Sequence, residues 1–205
     1  MRAVAWLGVL LGLSALNAQE PPAPKPAPKP ETPSVGTKVG ELIPAFELAT
    51  RDLKQDDGAP KTVSSRDAGK LRLYVSMSTN CPGVASHVER LKQLDLDLTK
   101  QGVEVLFVYP NYTEKLPAKE KFHKENGFAA RFAEDVDAQV FGGKLKAKKT
   151  CEAVLVDAQG VIRYRGGIDD SPGKPKEVKR RYVVEAVEAV KAGKVYEGPF
   201  PPAPG

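Results

Sequence analysis

Two cysteines, Cys81 and Cys151, are the residues of this sequence best suited to chemistry, and the chain has no others. Cys81 lies between a short apolar stretch and an amphipathic one. This arrangement predicts a turn in which the thiol faces the first N–H groups of a helix. Those groups and the helix dipole favour a thiolate over a thiol, and the thiolate is the nucleophilic form. The turn at Cys81 is therefore the first candidate for a reactive site.

The residues on either side of Cys81 predict a buried strand followed by a helix. Apolar residues alternate along 71–77, which is typical of a strand, whereas they recur at three- and four-residue spacing along 84–94. Pro82 suits the first turn of a helix, where its missing N–H is not needed. We expect this helix to extend to about residue 100.

The rest of the chain predicts a single α/β domain. Besides the stretch at 71–77, the pattern predicts strands near 46–48, 61–65, 103–109, 130–132, 151–157 and 161–166, and helices at 118–125, 138–141 and 177–191. The last two strands are joined by a hairpin signal at 158–160. A strand–helix–strand unit followed by a hairpin and a closing helix indicates a mixed sheet flanked by helices.

Composition and charge narrow the class of partner. The 205 residues, 41% of them hydrophobic, suffice for one ordinary domain with tails. The net charge of +5 is a small difference between 31 basic and 26 acidic residues, and no basic run is interleaved with aromatic residues. We therefore predict a solvated surface and no nucleic-acid partner. His123, within a charged helical stretch, is expected to be exposed.

The two ends of the chain lie outside the predicted domain. Residues 1–18 combine a positive start with a short apolar run and are predicted to be a signal peptide, with an uncleaved anchor as the alternative. Residues 19–37 form a proline-rich linker, 38–194 the domain and 195–205 a proline-rich tail. We expect export to the periplasm or the extracellular space, with no stable membrane insertion after cleavage.

Several segments, taken in order, resemble thioredoxin-like proteins, and specifically the redoxin branch of alkyl hydroperoxide reductase and thiol-specific antioxidant type. The resemblance covers about residues 38–194. It implies a thioredoxin-like fold with a central mixed β-sheet flanked by helices, and a thiol redox activity. It is carried by Val39-Gly40 with Pro44-Ala-Phe-Glu-Leu48, the Cys81-Pro82 turn, Ala153-Val-Leu-Val-Asp157, Gly160-Val-Ile-Arg-Tyr164, and Ile168-Asp169-Asp170.

The same resemblance implies the parts of the site. Cys81 takes the place of the attacking cysteine, but Val84 stands where a Cys-x-x-Cys motif has its second cysteine. Thr150 and Cys151 stand in place of the family's Thr-Pro dipeptide, so neighbouring strand ends are expected to bring Cys151 to Cys81. The remaining residues of the turn are expected to support it, namely Ser78, Thr79, Asn80 and Pro82.

A comparison with the peroxidases of this family leaves a second activity open. Ser78 matches their hydroxyl position three residues before the cysteine, whereas Tyr74 stands where they have proline. Their arginine falls near position 151, which is cysteine here. Arg163 and Arg165, on the next predicted strand, are the candidates to replace it.

Three hypotheses for the cysteine pair follow. In the first, Cys81 is a nucleophile with Cys151 as its resolving partner. In the second, the protein is a non-catalytic binding module braced by a purely structural disulfide, which is the default for an exported protein with an even cysteine count. In the third, the two thiolates, with His87 or Met77, hold a soft metal such as Cu(I). The first predicts protein thiols and disulfides, or small thiols and peroxides, as partners. We predict no resident metal or cofactor.

Overall fold

The computed structural model describes residues 35–54 and 59–204. The predicted signal peptide and the part of the predicted linker before residue 35 lie outside these residues. Across the two described ranges, no helix is both long and apolar enough to cross a membrane.

A mixed sheet of seven strands lies at the centre of the described part, which confirms the predicted α/β class. Its strand order is β2-β1-β5-β4-β3-β6-β7. The central strand β3 runs parallel to β4 and antiparallel to β6. The strands are β1 (Glu47–Arg51), β2 (Pro60–Ser64), β3 (Arg72–Ser76), β4 (Glu104–Tyr109), β5 (Arg131–Glu134), β6 (Ala153–Val156) and β7 (Ile162–Gly166).

Helices cover the sheet, whose central strands are buried on both faces. Leu73 and Val75 of β3 share one apolar core with residues of α2 and α4, whereas Tyr74 belongs to the core of the other face. This explains why β3 is apolar at nearly every position. The helices are α1 (Pro82–Ala85), α2 (Val88–Lys100), α3 (Leu116–Asn126) and α4 (Tyr182–Lys191), with short 3₁₀ turns at Val136–Ala138 and Pro175–Glu177 and a π turn at Gln139–Lys144.

Among the helices that differ from the sequence prediction, two border the site or the segment behind it. The helix after Cys81 is broken at Ser86 and His87, so that α1 and α2 are separate. The closing helix begins at Tyr182 rather than at 177. Its predicted first turn is instead held by Asp170, which accepts a hydrogen bond from the Lys179 N–H at 3.0 Å. A side chain that binds the backbone in this way competes with helix formation.

The C-terminal segment packs against the edge of the sheet. The Gly167 N–H donates a hydrogen bond to the Pro201 carbonyl at 2.8 Å. Tyr196 and Ala203 are buried, and the rings of Tyr196 and Phe200 contact each other and Tyr164. A side chain at Gly166 would lie 2.6 Å from the Pro201 carbonyl oxygen, so glycine is required for this contact.

His123 is buried, contrary to the prediction that it would be exposed. Only 2% of its surface is accessible. Its ring packs among four aromatic rings, and its Nε2 has no hydrogen-bond partner within the described residues. Burial lowers the pKa of His123 to about 3, because the protonated ring would lose its hydration without gaining a partner. The four rings are those of Phe107, Tyr109, Phe128 and Phe132.

This burial predicts acid sensitivity. In the unfolded chain His123 takes up a proton below its ordinary pKa of 6.5, and in the fold it does not. Its stabilising contribution is therefore present above pH 6.5 and is lost as pH falls toward 3. We expect His123→Phe to reduce the loss of unfolding free energy between pH 7 and pH 5 by about 2 kcal/mol. Urea denaturation of both proteins at each pH measures this, and equal losses would contradict it.

Candidate functional site

Cys81 lies where the chain leaves the central strand β3 and enters α1. The Met77 N–H still donates to the Val108 carbonyl of β4 at 2.7 Å, after which 78–80 cross the end of the sheet. Pro82 is the first residue of α1, and Cys81 precedes it with an extended backbone at φ −84° and ψ 122°. The predicted strand–turn–helix is therefore present, with the thiol at its apex.

The surroundings of the Cys81 sulfur favour the thiolate. Partial burial by itself raises the pKa of Cys81, but hydrogen bonds to the Thr150 hydroxyl and to the backbone N–H groups of Val84 and Gly83 outweigh it. The Thr150 Oγ1 lies 2.9 Å from the Cys81 Sγ. The net result is a Cys81 pKa below its ordinary value. Since Cys81 is also partly exposed, it has the two properties of a reactive cysteine.

Cys151 lies beside the same turn but is fully buried. Its N–H donates to the Ser76 carbonyl at 2.7 Å, which holds the start of β6 against the end of β3. Its backbone is left-handed, with φ 58°, a conformation that is uncommon outside glycine and often found at functional sites. Burial, and then the charge of Cys81, raise the pKa of Cys151 to about 12. Cys151 is therefore a protonated thiol at neutral pH.

The structure places the predicted supporting residues within the Cys81 turn or directly beside it. Thr150 contacts its sulfur directly, and Pro82 begins α1. Within the turn, the buried Ser78 hydroxyl accepts a hydrogen bond from the Asn80 N–H at 3.3 Å. Thr79 is held through its backbone.

Glu114, which sequence reasoning missed, holds this turn in place. It lies between β4 and α3 and is only 4% exposed. Its carboxylate accepts hydrogen bonds from the Ser78 hydroxyl, from the Thr79 N–H at 2.8 Å and from the Asn111 amide at 3.1 Å. Its negative charge raises the pKa of Cys81, in opposition to Thr150. The sequence held one signal for Glu114: it follows a predicted buried strand, at the end of the sheet where Cys81 was expected.

The state of the two cysteines and the residues near them bear on the structural-disulfide and Cu(I) hypotheses. Both cysteines are free thiols, so the structure contains no Cys81–Cys151 bond. The described residues hold no cluster of three His, Cys, Asp or Glu side chains that could bind a metal. His87 is buried, its Nδ1 lies 2.7 Å from the Gly83 carbonyl, and burial lowers its pKa. Among the described residues, His87 is therefore not grouped with the two cysteines as a third metal ligand.

The side chains expected to position a peroxide are engaged elsewhere. The Ser78 hydroxyl donates to Glu114. Arg163 pairs with Asp157 at 2.5 Å, and Arg165 pairs with Glu152 at 2.6 Å. Each guanidinium is thus held by a carboxylate near its own strand.

The structure places two charged residues near Cys151, Arg90 of α2 and Asp169. The Arg90 Nη1 pairs with the buried Asp169 at 2.6 Å and also donates to the Ser171 carbonyl. The charge of Arg90 lowers the pKa of Cys151 and that of Asp169 raises it. Asp169 is therefore part of a buried ion pair behind the site.

Comparison with known proteins agrees with this architecture. Residues 38–181 match the protein family described as Redoxin. No curated protein sequence matches the chain.

Solved structures show the same fold. An uncharacterised conserved protein from Geobacillus kaustophilus has 21% identity and a TM-score of 0.69, over 82% of this chain and 89% of that one. A hypothetical protein from Sinorhizobium meliloti has 24% identity and a TM-score of 0.67, over 84% and 92%. A putative thiol:disulfide interchange protein from Chlorobium tepidum has 17% identity and a TM-score of 0.56, over 78% and 100%.

Proposed function

Since the chain belongs to the redoxin family, we propose that it is an exported thiol–disulfide oxidoreductase in which Cys81 attacks and Cys151 resolves. The observation that carries this proposal is the contrast between the two thiols. Cys81 is partly exposed with a lowered pKa, whereas Cys151 is buried with a pKa raised to about 12. Cys81 is thus suited to attack a substrate, whereas Cys151 is a buried, protonated thiol that can act in a later step.

The first step is attack by the Cys81 thiolate on one sulfur of a substrate disulfide. A bond forms between that sulfur and the Cys81 Sγ, the substrate S–S bond breaks, and the leaving sulfur departs as a thiolate that takes up a proton from solvent. Thr150 and the N–H groups of Gly83 and Val84 hold the attacking sulfur. This step uses only groups that already contact Cys81.

The second step is resolution by Cys151. Its thiol loses a proton and attacks the Cys81 Sγ, which forms a Cys81–Cys151 disulfide and releases the second substrate sulfur as a thiol. Two electrons have then passed from the protein to the substrate, and an external thiol reductant restores the pair. The high pKa of Cys151 keeps it from competing with Cys81 in the first step.

Protein disulfides are the substrates we propose, because the partly exposed Cys81 lies at a turn at the end of the sheet, where a large substrate can reach it. We further propose that the chain works outside the cytoplasm, on the strength of the apolar run at 4–16. An exported chain whose first residue is Gln19 is the expected result of N-terminal mass spectrometry.

The experiment that tests the proposed activity is a single turnover with 2-hydroxyethyl disulfide. The fully reduced chain is expected to release both substrate thiols and to become oxidised at Cys81 and Cys151. Cys81→Ser is expected to release none, because Cys151 is buried. Hydrogen peroxide is tested in parallel: consumption of peroxide without reduction of the disulfide would replace exchange by the peroxidase alternative.

A further inference from the structure

Three lysines in one short loop stand out among the charged groups near the site. The lysine loop, defined as residues 146–149, connects the π turn to the strand β6 and contains Lys146, Lys148 and Lys149, all exposed. Within the described part of the chain, none of the three forms an ion pair. Exposed lysines that face solvent without a partner are available to an incoming negative charge.

The lysine loop is fixed rather than free to swing. The Ala147 N–H donates to the Phe141 carbonyl at 2.7 Å, and the Lys148 N–H donates to Glu152 at 3.3 Å. Left-handed backbone at Lys146 (φ 56°) and at Cys151 (φ 58°) turns the chain just before and just after the other two lysines. The three positive charges are therefore presented from a preorganised backbone.

These lysines line a groove of about 590 Å³. Its other charged side chains are Lys38, Arg165 and Glu152. Arg165 and Glu152 neutralise each other in a salt bridge of 2.6 Å, which leaves four lysines without a compensating carboxylate in the groove. A groove of this charge selects an anionic occupant.

The groove also has an apolar part. Phe200 is 45% exposed and Val39 is 37% exposed, and Pro201 and Pro202 lie beside them. Such a wall suits apolar side chains. A phosphate backbone would favour a free guanidinium for bidentate binding, but Arg165 is held by Glu152 and by the Thr37 carbonyl. The lining therefore fits an acidic polypeptide better than a nucleic acid.

The groove shares two lysines with a second cavity that lies near the reactive thiol. Lys148 and Lys149 also line a second cavity, of about 200 Å³, which Asn111 and Thr150 border as well. Thr150 is the residue that contacts the Cys81 sulfur. A chain lying in the groove would thus reach Cys81 by passing the lysine loop.

We propose that this groove is a docking site for an acidic polypeptide segment that also carries apolar side chains. The segment belongs to a partner protein, and the inference that this partner's disulfide is the one reduced by Cys81 rests on the proposed function. The binding surface itself is independent of the chemistry. Three of its four uncompensated lysines lie on residues 146–149, and all four are outside the turn that holds the thiol.

The test is binding of a fluorescein-labelled peptide of Glu and Val to the full chain, compared with a peptide in which Gln replaces Glu. The acidic peptide is expected to bind more tightly, with an affinity that falls as salt is added. Changing the three loop lysines to Gln is expected to weaken its binding roughly tenfold, the combined effect of three exposed ion pairs. The matched control, Lys70→Gln with Lys100→Gln and Lys194→Gln, removes the same charge at exposed positions away from the groove and is expected to bind as the wild type does.

Three results would overturn the proposal: equal binding of both peptides, an equal loss of binding in the control variant, or tighter binding of a single-stranded oligonucleotide than of the acidic peptide. Reduction of 2-hydroxyethyl disulfide by the wild-type chain separates this proposal from the proposed function. A chain that binds the acidic peptide but reduces no disulfide would overturn the function and support the surface. A chain that reduces the disulfide but binds both peptides alike would overturn the surface alone.

Discussion

Replacing Cys151 by Ser is expected to stop disulfide reduction after its first step and to leave the substrate covalently attached to Cys81. The wild-type chain passes through the same adduct, but its buried thiol resolves it. No third cysteine exists to take over. Incubation with a protein disulfide, followed by non-reducing mass spectrometry, is expected to find a stable adduct on Cys81 in the variant and an internal disulfide in the wild type.

A second variant separates loss of the thiol from a change in the backbone. Cys151→Gly also removes the thiol, but glycine adopts the left-handed conformation at this position (φ 58°) without strain. Both variants are expected to trap the adduct, although they differ in packing and in stability. A Cys151 variant that merely unfolds more easily, with no adduct on Cys81, would support the structural-disulfide hypothesis instead.

The strand, turn and helix that hold Cys81 could be predicted because each depends on a local pattern in the sequence. Alternation along 71–77 and the proline at 82 are enough to predict a strand, a turn and a helix start around Cys81. The approach of Thr150 to that turn is a long-range contact, and only the resemblance to redoxins implied it. In the structure the Thr150 Oγ1 lies 2.9 Å from the Cys81 Sγ.

What the sequence did not predict depends on burial of polar side chains. His123 and Glu114 lie in charged, polar stretches, and such residues are exposed in most proteins. Here the packing of α3 on the sheet places His123 among aromatic rings, and the loop after β4 places Glu114 behind the Cys81 turn. Whether a polar residue is covered depends on which elements pack over it, so neither periodicity nor spacing could distinguish these two from their exposed neighbours.

Glu114→Gln is expected to weaken the fold and yet to make Cys81 more acidic. The carboxylate accepts hydrogen bonds on both oxygens, from Ser78 and Asn111 on one and from the Thr79 N–H on the other. An amide has one accepting oxygen, so at least one buried donor loses its partner and instead faces an NH₂ group. The expected loss in unfolding free energy is about 1–3 kcal/mol.

Although Glu114→Gln is expected to destabilise the fold, it is expected to favour the Cys81 thiolate. Glu114 raises the pKa of Cys81, whereas Thr150 lowers it. The negative charge of Glu114 raises the pKa of Cys81, so removing that charge is expected to lower it and to shift the pH profile of Cys81 alkylation by iodoacetamide to lower pH. Glu188→Gln, at an exposed position on α4, removes the same charge and is expected to change neither stability nor the alkylation profile.

A Cys81 pKa that rises in Glu114→Gln would mean that the carboxylate acts on the thiol mainly by holding Ser78 and Thr79 in position, because a displaced turn would no longer aim its hydrogen-bond donors at the sulfur. A lower pKa in a less stable protein would instead show that the buried carboxylate stabilises the turn while limiting how much thiolate Cys81 carries.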